Sequence, residues 1–279
     1  MRNILIIAGD VGLDDFDFKI VKDANKIVNT AKTLQESLSR CKGNNVYVVG
    51  DGGGTSRLSL EQIGQAMDKL NNDIPLTIIY CGHGKVGADG FEFITGENNT
   101  IKVQDLFNLI KQKRNNKPVE FFSTACYGGA MHRHRNILPS NSVLVSLTDE
   151  KTVNNGSDFR NFAENFPKNI SVDLTAKNLL SIFMQTSLEN RFPPCISRSS
   201  GEVYNLDKLY KDFVSSNHKI DNLQNKSKGL LLPSTLKLIP KLNSAKYEYD
   251  INAKEYGKAL ALVFEDMYPR LKKSNERVL

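Results

Sequence analysis

The stretch that decides the fold comes in two pieces, LTIIYCGHGKVGADGFEF at residues 76–93 and VEFFSTACYGGA at residues 119–130. Each opens as a short apolar run, Leu76–Tyr80 and Val119–Ser123, with the length and the β-branched or aromatic content of a buried strand. Each then runs into a turn of small residues, one carrying His83–Gly84 and the other Ala125–Cys126. In α/β proteins the sites lie beyond the carboxyl ends of the strands, where both turns would be. The two residues are 126 − 83 = 43 positions apart. That is room for a hairpin, one crossover helix and an adjacent parallel strand, which brings both turns to the same sheet edge.

Outward from this centre, strands and helices alternate. Ile4–Ala8 and Asn45–Val49 read as buried strands, and Ile74–Tyr80 as the third. Helical spacing of Ile20, Ala24, Ile27, Val28, Ala31 and Leu34 predicts a helix over residues 19–40. Ser59 with Gln62 three positions on predicts a capping box at the start of a helix reaching about Leu70. Gly87–Thr95 alternates around Asp89-Gly90, the signature of a β-hairpin. A helix over Val103–Lys113 and a fifth strand over Ser142–Leu147 complete a mostly parallel sheet with helices on both faces. Helices are expected over Ser157–Asn165, Leu174–Leu188, Asp207–Val214 and Ala253–Leu271. The polar, aperiodic Ser215–Gly229 reads as a mobile loop or cleavable linker.

Composition bounds the rest. With 40% hydrophobic and 24% charged residues over 279 positions, the chain is ordinary globular material. No apolar run approaches the length of a membrane span. The apolar run after Met1-Arg2-Asn3 is too short for a signal peptide and reads as the first strand. A cytoplasmic location, or export without a classical signal peptide, is therefore expected. Cys41, Cys81, Cys126 and Cys195 have neither metal-ligand spacing nor C-x-x-C pairing and read as independent thiols. With a net charge of +6, the basic clusters Lys111–Lys117 and Arg270–Arg277 could meet nucleic acid or an acidic surface, but they read better as solvated helix faces, and nothing resembles an aromatic-interleaved nucleic-acid module.

Three rival sites read better as structure. Gly50–Gly54 follows a strand but lacks the lysine of a phosphate loop and does not fit G-x-G-x-x-G, so a flexible connection is favoured. Asp10, Asp14, Asp15 and Asp17 offer oxygens for calcium but not the EF-hand spacing, and a solvated loop is favoured. His132 and His134 would need two further ligands to hold zinc. No metal or cofactor is expected.

His83 and Cys126 carry a chemistry of their own. A thiol with an ordinary pKa of about 8.5 needs a base or a positive dipole to become a nucleophile. His83 can be that base and then protonate a leaving amine. The backbone N–H groups of Gly84 and Cys126 are natural oxyanion donors.

At these residues the chain resembles the caspase-like superfamily of cysteine peptidases, which carries His-Gly and Ala-Cys motifs at the ends of neighbouring strands. Within it, IIYCGHGKVGADGFEF and FFSTACYGGAM are most similar to the legumain and GPI-transamidase branch. The likeness covers about residues 2–150. It implies a three-layer α/β sandwich whose central, mostly parallel sheet has about six strands flanked by helices. It also implies a thiol endopeptidase with His83 as acid or base, Cys126 as nucleophile, and Gly84 and Cys126 as oxyanion donors. Around the pocket it implies Asp17, Lys19, Thr124, Ser146, Thr148 and Asp149. Thr124 departs from the resemblance, standing where legumains have a glutamate of their asparagine-reading pocket. The first expectation at P1 is Asn, and the second is Arg or Lys paired with Asp17 and Asp149. A transpeptidase differs only in the acceptor, and a catalytically silent binding module is the rival from another class. The expected organisation is a peptidase domain over residues 1–200 and a helical extension over 201–279, a cap, pro-segment or regulatory element packed on the same domain. The expected partner is a protein or peptide substrate, with self-processing near Ser215–Gly229.

Overall fold

The computed structural model describes residues 1–9, 18–50, 58–96, 99–152, 156–170, 194–227 and 239–264, with isolated positions between 179 and 192. The chain divides into two compact units, Met1–Val203 and Tyr204–Leu279.

The first unit is built on strands β1 (Arg2–Ala8), β2 (Asn44–Val49), β3 (Leu76–Cys81), β7 (Val119–Ser123), β8 (Val143–Ser146) and β9 (Cys195–Arg198). With β10 (Val203–Asn205), at the boundary of the units, they form a seven-stranded sheet in the order β10-β9-β8-β7-β3-β1-β2. The strands from β2 across to β8 pair in parallel, and β9 runs antiparallel to β8. The fold class expected from the sequence is therefore observed, with seven strands in place of about six. A second, antiparallel sheet, β4 (Gly84–Gly87), β5 (Gly90–Gly96) and β6 (Asn99–Lys102), follows directly from the His83 turn. The Asp89-Gly90 turn makes the expected hairpin, and Gly90 has a φ of 115° that favours glycine.

Alternation along the strands explains burial on both faces. Ile78, Tyr80 and Phe121 share a core with Ile63 and Met67 of α2 (Leu60–Asp68) and Leu106, Phe107 and Ile110 of α3 (Val103–Lys113). Their neighbour Phe122 points the other way, 5.1 Å from Phe183, which in turn meets Phe162 of α4 (Gly156–Lys168) at 5.3 Å. α1 (Phe18–Ser39) contacts α4, placing it with that second layer. Each large apolar side chain buried this way contributes roughly 1.5–3 kcal/mol. The capping box on α2 is present: Gln62 N–H donates to Ser59 Oγ at 3.2 Å, and Ser59 N–H donates to Gln62 Oε1 at 2.9 Å.

The second unit differs from the expectation. α5 spans Leu206–Ser227 and α6 spans Ile239–Phe264, and the two pack on each other. Ser215–Ser227 is therefore helix and not the mobile loop its composition suggested. Ser216 is buried and Ile220 and Leu223 are half-buried, a stripe at helical spacing that a partner helix covers. Lys219 pairs with Glu248 at 2.5 Å, and Asn252 donates to the Asp212 carbonyl at 3.2 Å. Packing on a neighbour overrides weak local preference here. Lys228 and Gly229 lie outside the described residues, as does most of Leu174–Leu188.

No helix among the described residues is long and apolar enough to cross a membrane.

Candidate active site at the carboxyl edge of the sheet

β3 and β7 pair in parallel with Leu76 opposite Val119 and Tyr80 opposite Ser123, an offset of 119 − 76 = 43 throughout. His83 and Cys126 each lie three residues past the last pair of that ladder, Tyr80 with Ser123. The turns stay together past the ladder. Thr124 N–H donates to the Tyr80 carbonyl at 3.1 Å, and an ideal Cβ built on Gly84 would lie 3.0 Å from Ala125 Cβ. Thus the residues following His83 and preceding Cys126 are in contact.

The His83 turn is held from beneath by Tyr80. Its hydroxyl lies 2.7 Å from the His83 carbonyl and 2.8 Å from that of Ile94, donating to one at a time. Ile94 N–H also donates to His83 C=O at 3.0 Å. The β4–β5 ladder then continues with Gly84 opposite Phe93.

On the other turn, Tyr127 adopts the left-handed conformation, with φ 55° and ψ 20°. Such geometry in a bulky residue costs about 1–3 kcal/mol and concentrates at functional sites. Cys126 is 7% exposed, more than Cys41 at 2%, Cys81 at 0% and Cys195 at 4%. Burial pushes the Cys81 thiol up to about 12. It does the same to Cys195, helped by Asp149 and opposed by a hydrogen bond from Ser146, for a value of about 12. Neither yields a thiolate at neutral pH.

The residues expected around the pocket are placed as follows. Thr124 is 2% exposed, and its hydroxyl donates to Tyr80 C=O at 3.2 Å while accepting from Gly82 N–H at 3.4 Å. It fastens the Cys126 turn to the His83 turn. Ser146 and Thr148 are wholly buried and bonded internally, so their side chains face no open pocket. Asp149 is half-buried, and its Oδ1 accepts from Lys151 N–H, Thr152 N–H and the Thr152 hydroxyl at 2.6–2.9 Å. Asp17 lies outside the described residues, and only the backbone of Lys19 is described, in α1. Asp10, Asp14, Asp15 and Gly52–Gly54 are likewise outside them.

His132 belongs to this region through contacts that sequence does not announce. It is 1% exposed, with Nδ1 2.7 Å from Ser197 Oγ and Nε2 3.1 Å from Ser146 Oγ. Ser197 is 65 positions away in sequence, so no local pattern links them. Burial, and then the Arg135 charge, lower the His132 pKa to about 3. Among the described residues no group of three or more His, Cys, Asp or Glu side chains is arranged to hold a metal.

That depressed value fixes the sign of a pH effect. From about pH 6.5, the ordinary histidine value, down towards 3, the unfolded chain takes up a proton that folded His132 refuses. Its contribution is present above pH 6.5 and is lost on acidification at up to about 1.4 kcal/mol per unit. His132→Gln keeps a donor and an acceptor without a titrating group. Urea unfolding at pH 7.5 and 4.5 is expected to show a smaller loss of stability in this variant than in wild type. An equal loss would assign the acid sensitivity to other groups.

No protein-family model matches the chain, and no curated protein matches it. Among solved structures it is similar to the crystal structure of the Drosophila initiator caspase Dronc, at a TM-score of 0.44 and 8% identity, covering 73% of this chain and 82% of that one. The chemistry of the site therefore rests on its own geometry.

Proposed function

We propose that this protein is a cysteine endopeptidase in which Cys126 attacks a peptide carbonyl. The Sγ–C bond forms as the thiol proton passes to His83, and His83 returns it to the leaving amine. Water, activated by the same imidazole, then releases the acyl group and regenerates the thiol. The backbone N–H groups of Gly84 and Cys126 bind the developing oxyanion. What carries this reading is the uninterrupted 43-residue offset between β3 and β7, which leads to a base on one turn and a thiol on the next. Transfer to an amine in place of water would use the same residues. At P1 we favour Asn, or else a basic side chain facing Asp149, with Asp17 and Lys19 as further pocket residues.

One observation favours a second reading. Cys126 is only 7% exposed, and a thiol closed to substrate would leave a catalytically silent module that binds partners without cutting them. A peptide library varied at P1, read by mass spectrometry beside trapping with peptidyl chloromethyl ketones, separates the two. The peptidase reading expects cuts after one class of residue and a covalent adduct mapped to Cys126. Neither cuts nor adduct would support the silent module.

A further inference from the structure

We propose that Thr148 is a positioning residue for the reaction at Cys126, its hydroxyl clamping the turn that carries the nucleophile; this rests on the peptidase reading above. Thr148 is 0% exposed and so touches no substrate. Its Oγ1 accepts from Gly128 N–H at 2.9 Å and donates to Ala125 C=O at 3.0 Å. Those two groups flank Cys126 and Tyr127, so one hydroxyl closes the turn across the nucleophile. Because a backbone N–H can only donate, the threonine proton is directed at Ala125 without ambiguity.

The clamp is itself held. The Ser146 hydroxyl donates to Thr148 C=O at 2.8 Å and also lies 3.1 Å from His132 Nε2, whose Nδ1 is 2.7 Å from Ser197 Oγ. The turn also has little room to slide. A Cβ on Gly128 would sit 2.8 Å from Ser146 Cβ, and one on Gly129 would sit 2.5 Å from the Asp149 carbonyl carbon. Tyr127 N–H is tied to Thr152 C=O at 3.0 Å while its backbone holds the left-handed conformation. A strained turn persists only when its surroundings over-determine it, and Thr148 is the side chain that reaches both ends.

The test compares Thr148→Val, which keeps shape and loses the hydroxyl, with Thr148→Ser, which keeps it. In Thr148→Val, kcat is expected to fall roughly 10–100-fold with KM nearly unchanged, since small misplacements near the reacting atom act on turnover. Thr148→Ser is expected to stay within about threefold of wild type. Wild-type kcat in the valine variant, or equal damage in both variants, overturns the proposal. Should Thr148→Val fail to fold, Ser146→Ala releases the next bond back. A lowered kcat at constant KM then supports the clamp, and an unchanged kcat overturns it. Amide hydrogen exchange over residues 126–131 keeps the clamp distinct from the chemistry. If wild type neither cuts nor labels, the peptidase reading has failed, and with it the positioning role. Faster exchange in Thr148→Val than in Thr148→Ser would then retain the clamp as architecture alone, and equal exchange would remove that too.

Discussion

Cys126→Ala is expected to fold as wild type does while cutting no peptide and forming no adduct, and His83→Ala to lose about 10²–10⁴-fold in kcat/KM. The two losses differ because the residues do different things. Removing Sγ removes the atom that bonds to substrate, and the nearest alternatives cannot replace it. Cys81 and Cys195 are both held near pKa 12, so their thiols stay protonated at neutral pH. Removing His83 leaves the nucleophile in place but without a base, so the residual rate depends on thiolate formed by solvent and climbs with pH. Cys126→Ala keeps the backbone and threonine bonds that close the turn, Gly128 N–H to Thr148 Oγ1 and Tyr127 N–H to Thr152 C=O, so melting temperatures should stay close to wild type. Fluorogenic peptide kinetics from pH 5 to 9, with thermal melts alongside, check both. A His83→Ala enzyme within about threefold of wild type would remove histidine from the mechanism.

What the sequence made legible is what local spacing controls. The apolar runs at Leu76–Tyr80 and Val119–Ser123, the capping box at Ser59 and the helix over Val103–Lys113 are all readable within a window of a few residues. The 43-residue separation of His83 and Cys126 equals the register offset of the strands that precede them, because register converts sequence offset into position. Long-range partners were not legible. Thr124, Ser146 and Thr148 looked like pocket residues because they are polar and near the right strand ends. The hydroxyls of Thr124 and Thr148 instead bridge backbone groups of the turns, and that of Ser146 joins Thr148 C=O to the His132 ring, assignments that need the neighbouring strand. His132 offered only the alternative of a zinc ligand, since Ser197 is remote in sequence. The helix through Ser215–Ser227 was hidden for the same reason: its stripe is weakly apolar and takes its meaning from α6. Short Asn99–Lys102 went unread as a strand because four residues carry too little alternation.

Gly84→Ala is expected to cost on the order of 100-fold in kcat/KM and about 1–3 kcal/mol of stability from a single methyl group. The backbone at this position lies outside the left-handed region, so alanine meets no conformational objection of its own. The objection is steric. The new Cβ would sit 2.5 Å from Phe91 Cζ and 3.0 Å from Ala125 Cβ, closer than such atoms approach. Phe91 is 1% exposed and packs edge-on against Phe93 at a centroid distance of 5.0 Å, so its ring has nowhere to swing. The methyl group therefore acts as a wedge between Phe91 and the turn that carries Cys126. A displacement near 1 Å between reacting groups is enough for a roughly 100-fold loss. Since alanine retains the N–H of residue 84, any loss reports its position and not its absence. Phe91→Leu, which removes the ring edge the methyl group strikes, is expected to restore part of the activity when added to Gly84→Ala. Kinetics on both single variants and the double variant supply the comparison. Full activity in Gly84→Ala would mean that the two turns do not depend on their close approach.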